Sequence, residues 1–314
     1  MKKSLLKVIF LLTGLQIMAQ QEAHYSQYMF NGLVLNPAYA GSREYMSSVL
    51  ITRQQWTGFD GAPRNQSISF HTPSINLRNG FGIFFANDKL GGIREKSFSF
   101  AYAYRIPFGK ESFFSLGLRA GGWNYQMDYS ELQNPQSSLL INSQVYDPSD
   151  PAFAGANPSL WQPNAGCGIY INTKSMYTGI SLPQIIPNSL STSANGDARR
   201  YLHLLITQGF IIRLSKGFHV RPSALLKAIP GSAAQLDLNL SFLFNDRIWV
   251  GGTYRTGEGY VMLVEILPNS WLRLGYSYDV TTSRISLAST GSHEIMLGFD
   301  LNFKGNSHIS PRHF

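Results

Sequence analysis

The chain has 314 residues, a formal net charge of +8 and a single cysteine, Cys167. Charged residues make up 14% of it, well below the roughly 25% of typical soluble domains, whereas aromatic residues reach 13% and glycine occupies 29 positions. This composition argues against a cytosolic enzyme. One cysteine also excludes an internal disulfide or a thiolate metal cluster, and the scattered basic residues offer no focused face to nucleic acid.

The first predicted element is an export signal. Three lysines within the first seven residues are followed by an apolar stretch, Val8–Met18, and then by Ala19. A basic start, a short apolar core and a small residue at its end are typical of a secretory signal peptide. The apolar stretch is shorter than the about 20 residues of a spanning helix, although an N-terminal anchor helix is the alternative. Cleavage at Ala19 would leave 23 Lys and Arg against 18 Asp and Glu.

Apolar and polar residues then alternate in many segments of about ten positions, which is the pattern of strands that face lipid on one side and a lumen on the other. In the last segment, Ile295, Leu297 and Phe299 share one face. Glu294 and Asp300 fall on the opposite face. The pattern predicts fourteen strands, at 46–55, 65–71, 80–87, 96–106, 112–126, 164–171, 175–182, 200–213, 217–228, 234–244, 247–255, 259–267, 270–281 and 292–304.

These strands predict an all-β fold, a transmembrane antiparallel β-barrel of about 14 strands with long extracellular loops and short periplasmic turns. Alternate connections are short, as at Asn245–Asp246 and Pro268–Asn269, and they interleave with long ones such as Met127–Pro163 and Pro183–Arg199. This order fits an even strand number with both ends of the barrel domain in the periplasm. A soluble β-sandwich would also alternate, but its polar faces should carry more Lys and Glu than the Gly, Ser, Ala and Asn found here.

Three tryptophans are expected at the membrane interfaces. Trp249 and Trp271 follow short predicted turns, and Trp123 lies near the end of the strand that leads into the longest loop. Outer-membrane barrels carry aromatic girdles at both interfaces. We therefore predict that all three belong to these girdles.

The predicted organisation is a signal peptide at 1–19, a periplasmic or lumenal N-terminal segment at 20–45, an outer-membrane β-barrel at 46–304 and a periplasmic tail at 305–314. A barrel of this size is wider than the eight-strand barrels that side chains fill, so something should occupy its lumen. The candidates are the N-terminal segment and the long outer loop at 127–163. The loop is rich in apolar residues, which favours a folded plug or lid over a floppy loop.

Several runs near the N-terminus are more specific than this pattern. They are YSQYMFN at 25–31, LNPAYAGS at 35–42, RQQWTGFDGAP at 53–63, SFHTP at 69–73 and NDKLG at 87–91. Together they resemble the opening of the PorP/SprF family of Bacteroidetes outer-membrane proteins. The resemblance implies a component of the type IX secretion and gliding machinery. It further implies as partners the periplasmic ring lipoproteins with their motor or peptidoglycan-binding proteins, exported adhesins or cargo C-terminal domains, and the lipid bilayer.

The strand order assigns the family-like stretches Trp56–Arg64 and Asp88–Glu95 to outer connections. We hypothesise that these two loops form a recognition rim for an exported partner, and the alternative is loop ordering without a ligand. Further candidates come from the N-terminal segment and the tail. The candidate partner-binding residues are Trp56, Phe59, Asp60, Asp88, Lys89, Tyr25, Tyr28, Phe30 and Arg312.

No catalytic, cofactor-binding or metal site is predicted. His293 has Ser292 and Glu294 beside it, but adjacent strand residues point to opposite faces, so they form no local catalytic relay. His308 and His313 lack a nearby carboxylate and are interpreted as part of a solvated tail. The competing function is an outer-membrane transport barrel, either a porin or a plugged channel for hydrophobic solutes, because a fold alone does not decide function.

Overall fold

Fourteen antiparallel strands close into one barrel in the computed structural model, which describes residues 25–43, 45–58, 60–109, 111–127, 159–189, 199–200 and 202–301. We number the strands in chain order as β1 Met46–Gln54, β2 Arg64–Pro73, β3 Asn79–Leu90, β4 Ile93–Gly109, β5 Ser112–Met127, β6 Ser159–Asn172, β7 Met176–Leu182, β8 Leu204–Phe210 with Ile212–Ser215, β9 Phe218–Ala228, β10 Gln235–Phe244, β11 Ile248–Arg255, β12 Gly259–Ile266, β13 Leu272–Thr281 and β14 Ser292–Leu301. β1 pairs with both β2 and β14, which closes the sheet.

Several short elements are not part of the barrel wall. Before β1, the chain forms a 3-10 turn at Tyr28–Phe30, a helical turn at Gly32–Leu35 and a second 3-10 turn at Pro37–Tyr39. A further 3-10 turn at Arg284–Leu287 lies between β13 and β14, and Asn188–Ser189 pairs with Arg199–Arg200. Within the described part of the chain, no helix has the length and apolar character needed to cross a membrane.

The strands place apolar side chains on the outside of the barrel and polar side chains on the inside, which is the reverse of a soluble protein. On β14, Ile295 is 56% exposed on the outside, whereas its neighbour Glu294 is fully buried on the inside. Leu50 on β1 is likewise exposed, and Ser47 and Arg53 on the same strand are buried. An apolar outer band around a polar interior is the arrangement of a membrane-embedded barrel. It confirms the predicted fold class, and each of the fourteen predicted strands overlaps an observed one.

The connections divide the barrel into two ends. At one end, which we call the turn end, the chain passes between strands in five residues or fewer. Asn245 and Asp246, for example, have φ angles of 51° and 53°, which matches the tight turn that suits the twist of a hairpin. The opposite end, the loop end, carries every connection longer than five residues, although those at 91–92 and 256–258 are short. Short turns face the periplasm in outer-membrane barrels, so the loop end faces the cell exterior.

The expected girdle position is wrong for two of the three tryptophans. Trp271 lies on the outer surface and stacks on Phe299, with ring centres 6.2 Å apart. Trp123 and Trp249 instead face the lumen and are 1% and 3% exposed. A shift of one residue along a strand moves a side chain to the other face, so a position at the end of a strand does not fix which face the ring occupies.

Some predicted regions lie outside the described residues. They are the signal peptide at 1–19, the tail at 305–314 and, apart from its two ends, the outer loop at 127–163.

Candidate functional site

Residues 25–43, which we call the lumenal segment, lie inside the barrel. Tyr28, Phe30 and Leu33 of this segment are at most 2% exposed. The segment begins near the loop end, where Ser26 contacts the outer ends of β13 and β14. It reaches the turn end at Arg43, which contacts the last turn-end residues of β14. The segment therefore crosses the lumen from one end to the other before the chain enters β1.

Five charged side chains of the wall surround the start of the lumenal segment, and we call them the loop-end ionic cluster. Arg53 lies 2.7 Å from Asp279 and 3.5 Å from Glu294. Arg255 lies 3.2 Å from Asp237 and 3.4 Å from Asp279. All five are buried. A buried charge is costly unless it is paired and hydrogen-bonded, so the five side chains depend on one another and on the polar groups of the segment.

Ser26 and Gln27 join the lumenal segment to this cluster. The backbone N–H groups of both residues donate to the carboxylate of Glu294, one to each oxygen, at 2.8 Å. The Ser26 hydroxyl donates to Asp279 at 2.7 Å and accepts a hydrogen bond from Arg53 at 2.8 Å. Charge-assisted hydrogen bonds are stronger than neutral ones, so this is a firm attachment of the segment to the wall.

An apolar cluster surrounds the next residues of the segment. The guanidinium carbon of Arg221 lies 4.7 Å from the ring centre of Phe30 and 4.2 Å from that of Trp249, which is cation–π geometry. Tyr28 is buried in the same cluster, 2% exposed. The other buried apolar residues that the wall adds are Val49, Ile51, Leu205, Ile211, Leu225, Leu243, Leu263 and Met296.

On the opposite side of the lumen, the wall carries three glycines, which we call the glycine wall, that let the segment approach closely. A Cβ atom added to Gly82 would lie 2.9 Å from the Leu33 side chain. A Cβ atom added to Gly117 would overlap the backbone of Ala38, and one added to Gly168 would overlap the side chain of Asn36. These glycines therefore leave the space that the segment occupies.

Side chains of this wall also bind the carbonyl groups of the helical turn Gly32–Leu35. Arg119 donates to the carbonyl oxygens of Leu33 and Val34, and the Ser181 hydroxyl donates to that of Leu35 at 2.6 Å. The last carbonyls of a helix have no partner within it. The wall thus satisfies groups that would otherwise be buried without hydrogen bonds.

Asn36 links the segment to the wall and to its own next turn. Its amide nitrogen donates to the carbonyl oxygen of Ile169 at 2.9 Å, and its side-chain oxygen accepts from the Ala38 N–H at 2.9 Å. The second contact caps the 3-10 turn Pro37–Tyr39, a role for which Asn is favoured.

At the turn end, the segment finishes in a second set of buried charges, which we call the turn-end ionic group. Arg43 lies 3.2 Å from Asp300, and Arg273 lies 2.8 Å from Asp300 and 3.3 Å from Glu265. The Gly41 N–H donates to Nδ1 of His71 at 3.2 Å. Ionic contacts therefore hold the lumenal segment at both of its ends.

Three connections form a joined loop-end rim, residues 55–58 with 60–63, 91–92 and 282–291. The Thr57 N–H donates to the Gly291 carbonyl at 2.7 Å, and the Gly91 N–H donates to the Gly61 carbonyl at 2.9 Å. The backbone of Trp56 adopts a positive φ of 51° and its N–H donates to the Ser292 hydroxyl at 3.1 Å. Trp56 lies at the mouth of the lumen, beside Arg53 and Asp279 of the ionic cluster.

The candidate partner-binding residues fall into separate places. Asp60 and Lys89 line one cavity on the outer side of the rim. Asp88 accepts a hydrogen bond from the inward-facing Asn65 at 2.9 Å and so belongs to the lumen. Phe59 and Arg312 lie outside the described residues. Tyr25, Tyr28 and Phe30 are buried in the lumen, so a separate partner could reach them only if the segment left the barrel.

The loop-end ionic cluster is not among the residues singled out from the sequence. A signal was nevertheless present for Asp279 and Glu294, because both occupy inward positions of strands whose outward positions are mostly apolar. What the sequence did not reveal is that these charges meet one another and bind Ser26. In the part of the chain that the structure describes, no group of three His, Cys, Asp or Glu side chains is placed to hold a metal ion.

Comparison with known families gives one match, to a model described as the type IX secretion system membrane protein PorP/SprF, over residues 17–299. The sequence matches no curated protein.

Similar solved structures include Omp33 of Acinetobacter baumannii, at 6% identity and a TM-score of 0.45, covering 82% of this chain and 98% of that one. A FadL homologue of Pseudomonas aeruginosa has 9% identity and a TM-score of 0.46, with 88% and 94% covered. A monoaromatic hydrocarbon channel, CymD, has 12% identity and a TM-score of 0.44, with 90% and 94% covered.

Proposed function

The chain belongs to the PorP/SprF family of type IX secretion system membrane proteins, and from this premise we propose that it is a non-enzymatic component of the secretion and gliding machinery. In this proposal it links the periplasmic ring and motor to the outer membrane, presents exported cargo at the cell surface, or does both. The barrel lies in the outer membrane, so its two ends are available to partners on opposite sides.

The observation that carries the proposal is the occupied lumen. Residues 25–43 cross it, and they are held by the loop-end ionic cluster, the apolar cluster, the glycine wall and the turn-end ionic group. An open porin needs a continuous route for its solute, and here residues 25–43 fill the centre of the lumen. A closed barrel is better suited to serve as a membrane platform for other proteins.

The loop-end rim is the proposed contact for exported adhesins or cargo C-terminal domains. Its three connections are joined by backbone hydrogen bonds, so it offers a preorganised surface, which lowers the entropic cost of binding. Trp56 at the lumen mouth and Asp60 on the outer side give this surface an aromatic and a charged group.

The turn end is the proposed contact for the periplasmic ring lipoproteins and their motor or peptidoglycan-binding proteins. Its short connections form a low surface close to the membrane, and β14, the strand that precedes the tail at 305–314 with Arg312, ends on this side. A lipoprotein ring anchored in the inner leaflet would meet this surface without crossing the membrane.

Affinity purification of the full-length protein from native membranes, combined with conductance in liposomes, tests the proposal. We expect ring lipoproteins or surface adhesins to copurify, and we expect purified barrels to give no stable open channel. A stable open channel without copurifying secretion components would contradict the proposal and favour a transport barrel.

A further inference from the structure

The outward face of β2–β4 carries four cations at the loop end, Arg64, Lys89, Arg94 and Lys96, which we call the outer basic patch. Arg64 lies directly opposite Lys89 on the neighbouring strand, and Lys89 lies directly opposite Arg94. Neighbouring strands are about 4.8 Å apart, so three positive charges project from adjacent positions. Like charges placed directly opposite each other destabilise a sheet, and a bound anion would relieve this repulsion.

The patch lies where the outer wall changes from apolar to charged. Along β4, the outward positions begin with Arg94 and Lys96 and continue with Phe98 and Phe100. Trp161, 63% exposed, lies beside Phe98 with ring centres 6.3 Å apart, and exposed tryptophans favour the headgroup level of a membrane. The cations therefore lie at the headgroup level of the outer leaflet.

A cavity of about 230 Å³ adjoins the patch. Beside this cavity, the hydrogen bond from the Gly91 N–H to the Gly61 carbonyl joins the β1–β2 connection to the β3–β4 connection. Side chains of Gln54, Asp60, Arg64 and Lys89 line the cavity, together with Gly61, Ala62 and Gly91. Asp60 is the one carboxylate among these lining residues, and it opposes anion binding.

The charge is local to one side of the barrel. On β11–β13, the corresponding outward row at the loop end consists of Tyr254, Tyr260 and Val280. These residues suit an ordinary interface with lipid. Among the described residues, the ion pairs of the barrel do not involve Arg64, Arg94 or Lys96.

We propose that the outer basic patch is a binding site for a phosphate-bearing lipid of the outer leaflet. The guanidinium groups of Arg64 and Arg94 donate in pairs to phosphate oxygens, while Lys89 and Lys96 add charge and the acyl chains lie along the apolar residues below. The lipid would hold the β2–β4 side of the barrel, and with it the cargo-facing rim, at a fixed depth in the membrane.

The test measures retention of bis-phosphorylated lipid A by the full-length protein in phosphatidylcholine nanodiscs, using native mass spectrometry. The variant Arg64→Gln/Lys89→Gln/Arg94→Gln should reduce retention of this lipid by at least about tenfold. The matched control, Arg213→Gln/Lys216→Gln/Arg247→Gln, removes three exposed cations near the turn end and should leave retention unchanged. Heat-modifiable electrophoretic migration monitors folding of each variant.

Asp60→Asn provides a readout in the opposite direction, because removing the carboxylate should increase retention about threefold, which misfolding cannot do. If the triple variant fails to fold, Arg94→Gln alone should still weaken retention. Unchanged retention in Arg94→Gln and Asp60→Asn overturns the proposal. Equally strong binding of inorganic phosphate in detergent also overturns the proposal, because it would indicate a site for a free anion. The proposal is likewise overturned if the triple variant retains the lipid but loses a copurifying protein.

Discussion

Ser26 and Glu294 are 268 positions apart in the sequence, yet the backbone N–H of Ser26 donates to the Glu294 carboxylate at 2.8 Å. The other carboxylate oxygen accepts from the Gln27 N–H. A single side chain of β14 thus fixes the start of the lumenal segment, and Arg53, which lies 3.5 Å from Glu294, balances its charge. Closing the barrel and filling it are consequently coupled, because β14 both pairs with β1 and holds the segment that precedes β1.

The first prediction concerns this contact. Glu294→Gln removes the negative charge and replaces one acceptor oxygen by a donor that faces a backbone N–H. Breaking a buried charged contact typically costs about 3 kcal/mol, so the lumenal segment should detach more readily. Labelling of a cysteine introduced by Leu33→Cys, in a Cys167→Ser background, should become faster in this variant.

The control for this prediction is Glu258→Gln. Glu258 also pairs with a residue of the cluster, Arg255 at 3.1 Å, but its side chain is 35% exposed. Partly exposed pairs contribute little to stability, so labelling should stay slow. Equal labelling rates in the two variants would contradict the role given to Glu294.

The strands could be predicted because the membrane imposes a simple rule on them. Ile295 must meet lipid and Glu294 must not, and this alternation is visible without knowing any long-range contact. The interior follows no such rule. The sequence predicts Trp249 at the interface, whereas Phe30 and Arg221 hold it in the lumen. The partners of Glu294 depend on the path of a segment that has no strand or helix periodicity. Contacts between distant parts of the chain determine the candidate site, and the local pattern does not contain them.

The second prediction concerns the glycine wall. Gly117→Ala places a methyl group where the backbone of Ala38 lies, so the lumenal segment should shift or leave. Gly252→Ala is the matched control, because its nearest neighbour would be 3.4 Å away. Liposome conductance should appear for the first variant only. If folded Gly117→Ala protein gave no conductance in liposomes, the segment would not be what seals the lumen.

The third prediction concerns the turn between β4 and β5. Glu111 has a φ of 60°, a conformation that costs a non-glycine residue about 1–2 kcal/mol. Glu111→Gly should therefore raise the free energy of unfolding by about 0.5–1 kcal/mol, because the relief of the strained backbone outweighs the larger conformational entropy that glycine loses on folding. The free energy of unfolding of each variant is measured by urea denaturation in detergent.

Lys174→Ala is the control for this third prediction. It removes the 3.9 Å pair that Glu111 makes at the surface and should change little. Destabilisation by both substitutions would mean that the ion pair matters more than the backbone conformation.

The last prediction concerns the rim and the proposed contact with exported cargo. Trp56 is the large aromatic side chain at the mouth of the lumen, and aromatic residues often dominate binding energy at interfaces. Trp56→Ala should reduce surface delivery of cargo about tenfold or more, since loss of such an anchor commonly costs about 2 kcal/mol. Asp60→Asn should reduce delivery less.

Trp271→Ala is the control for this last prediction, because it removes an exposed tryptophan near the turn end and should leave delivery intact. Delivery is measured by surface immunolabelling of the cargo, normalised to folded barrel in the outer membrane. Normal delivery by Trp56→Ala at normal barrel abundance would mean that the rim only orders its own loops, because an ordering role predicts lower abundance and a binding role predicts lower delivery per barrel.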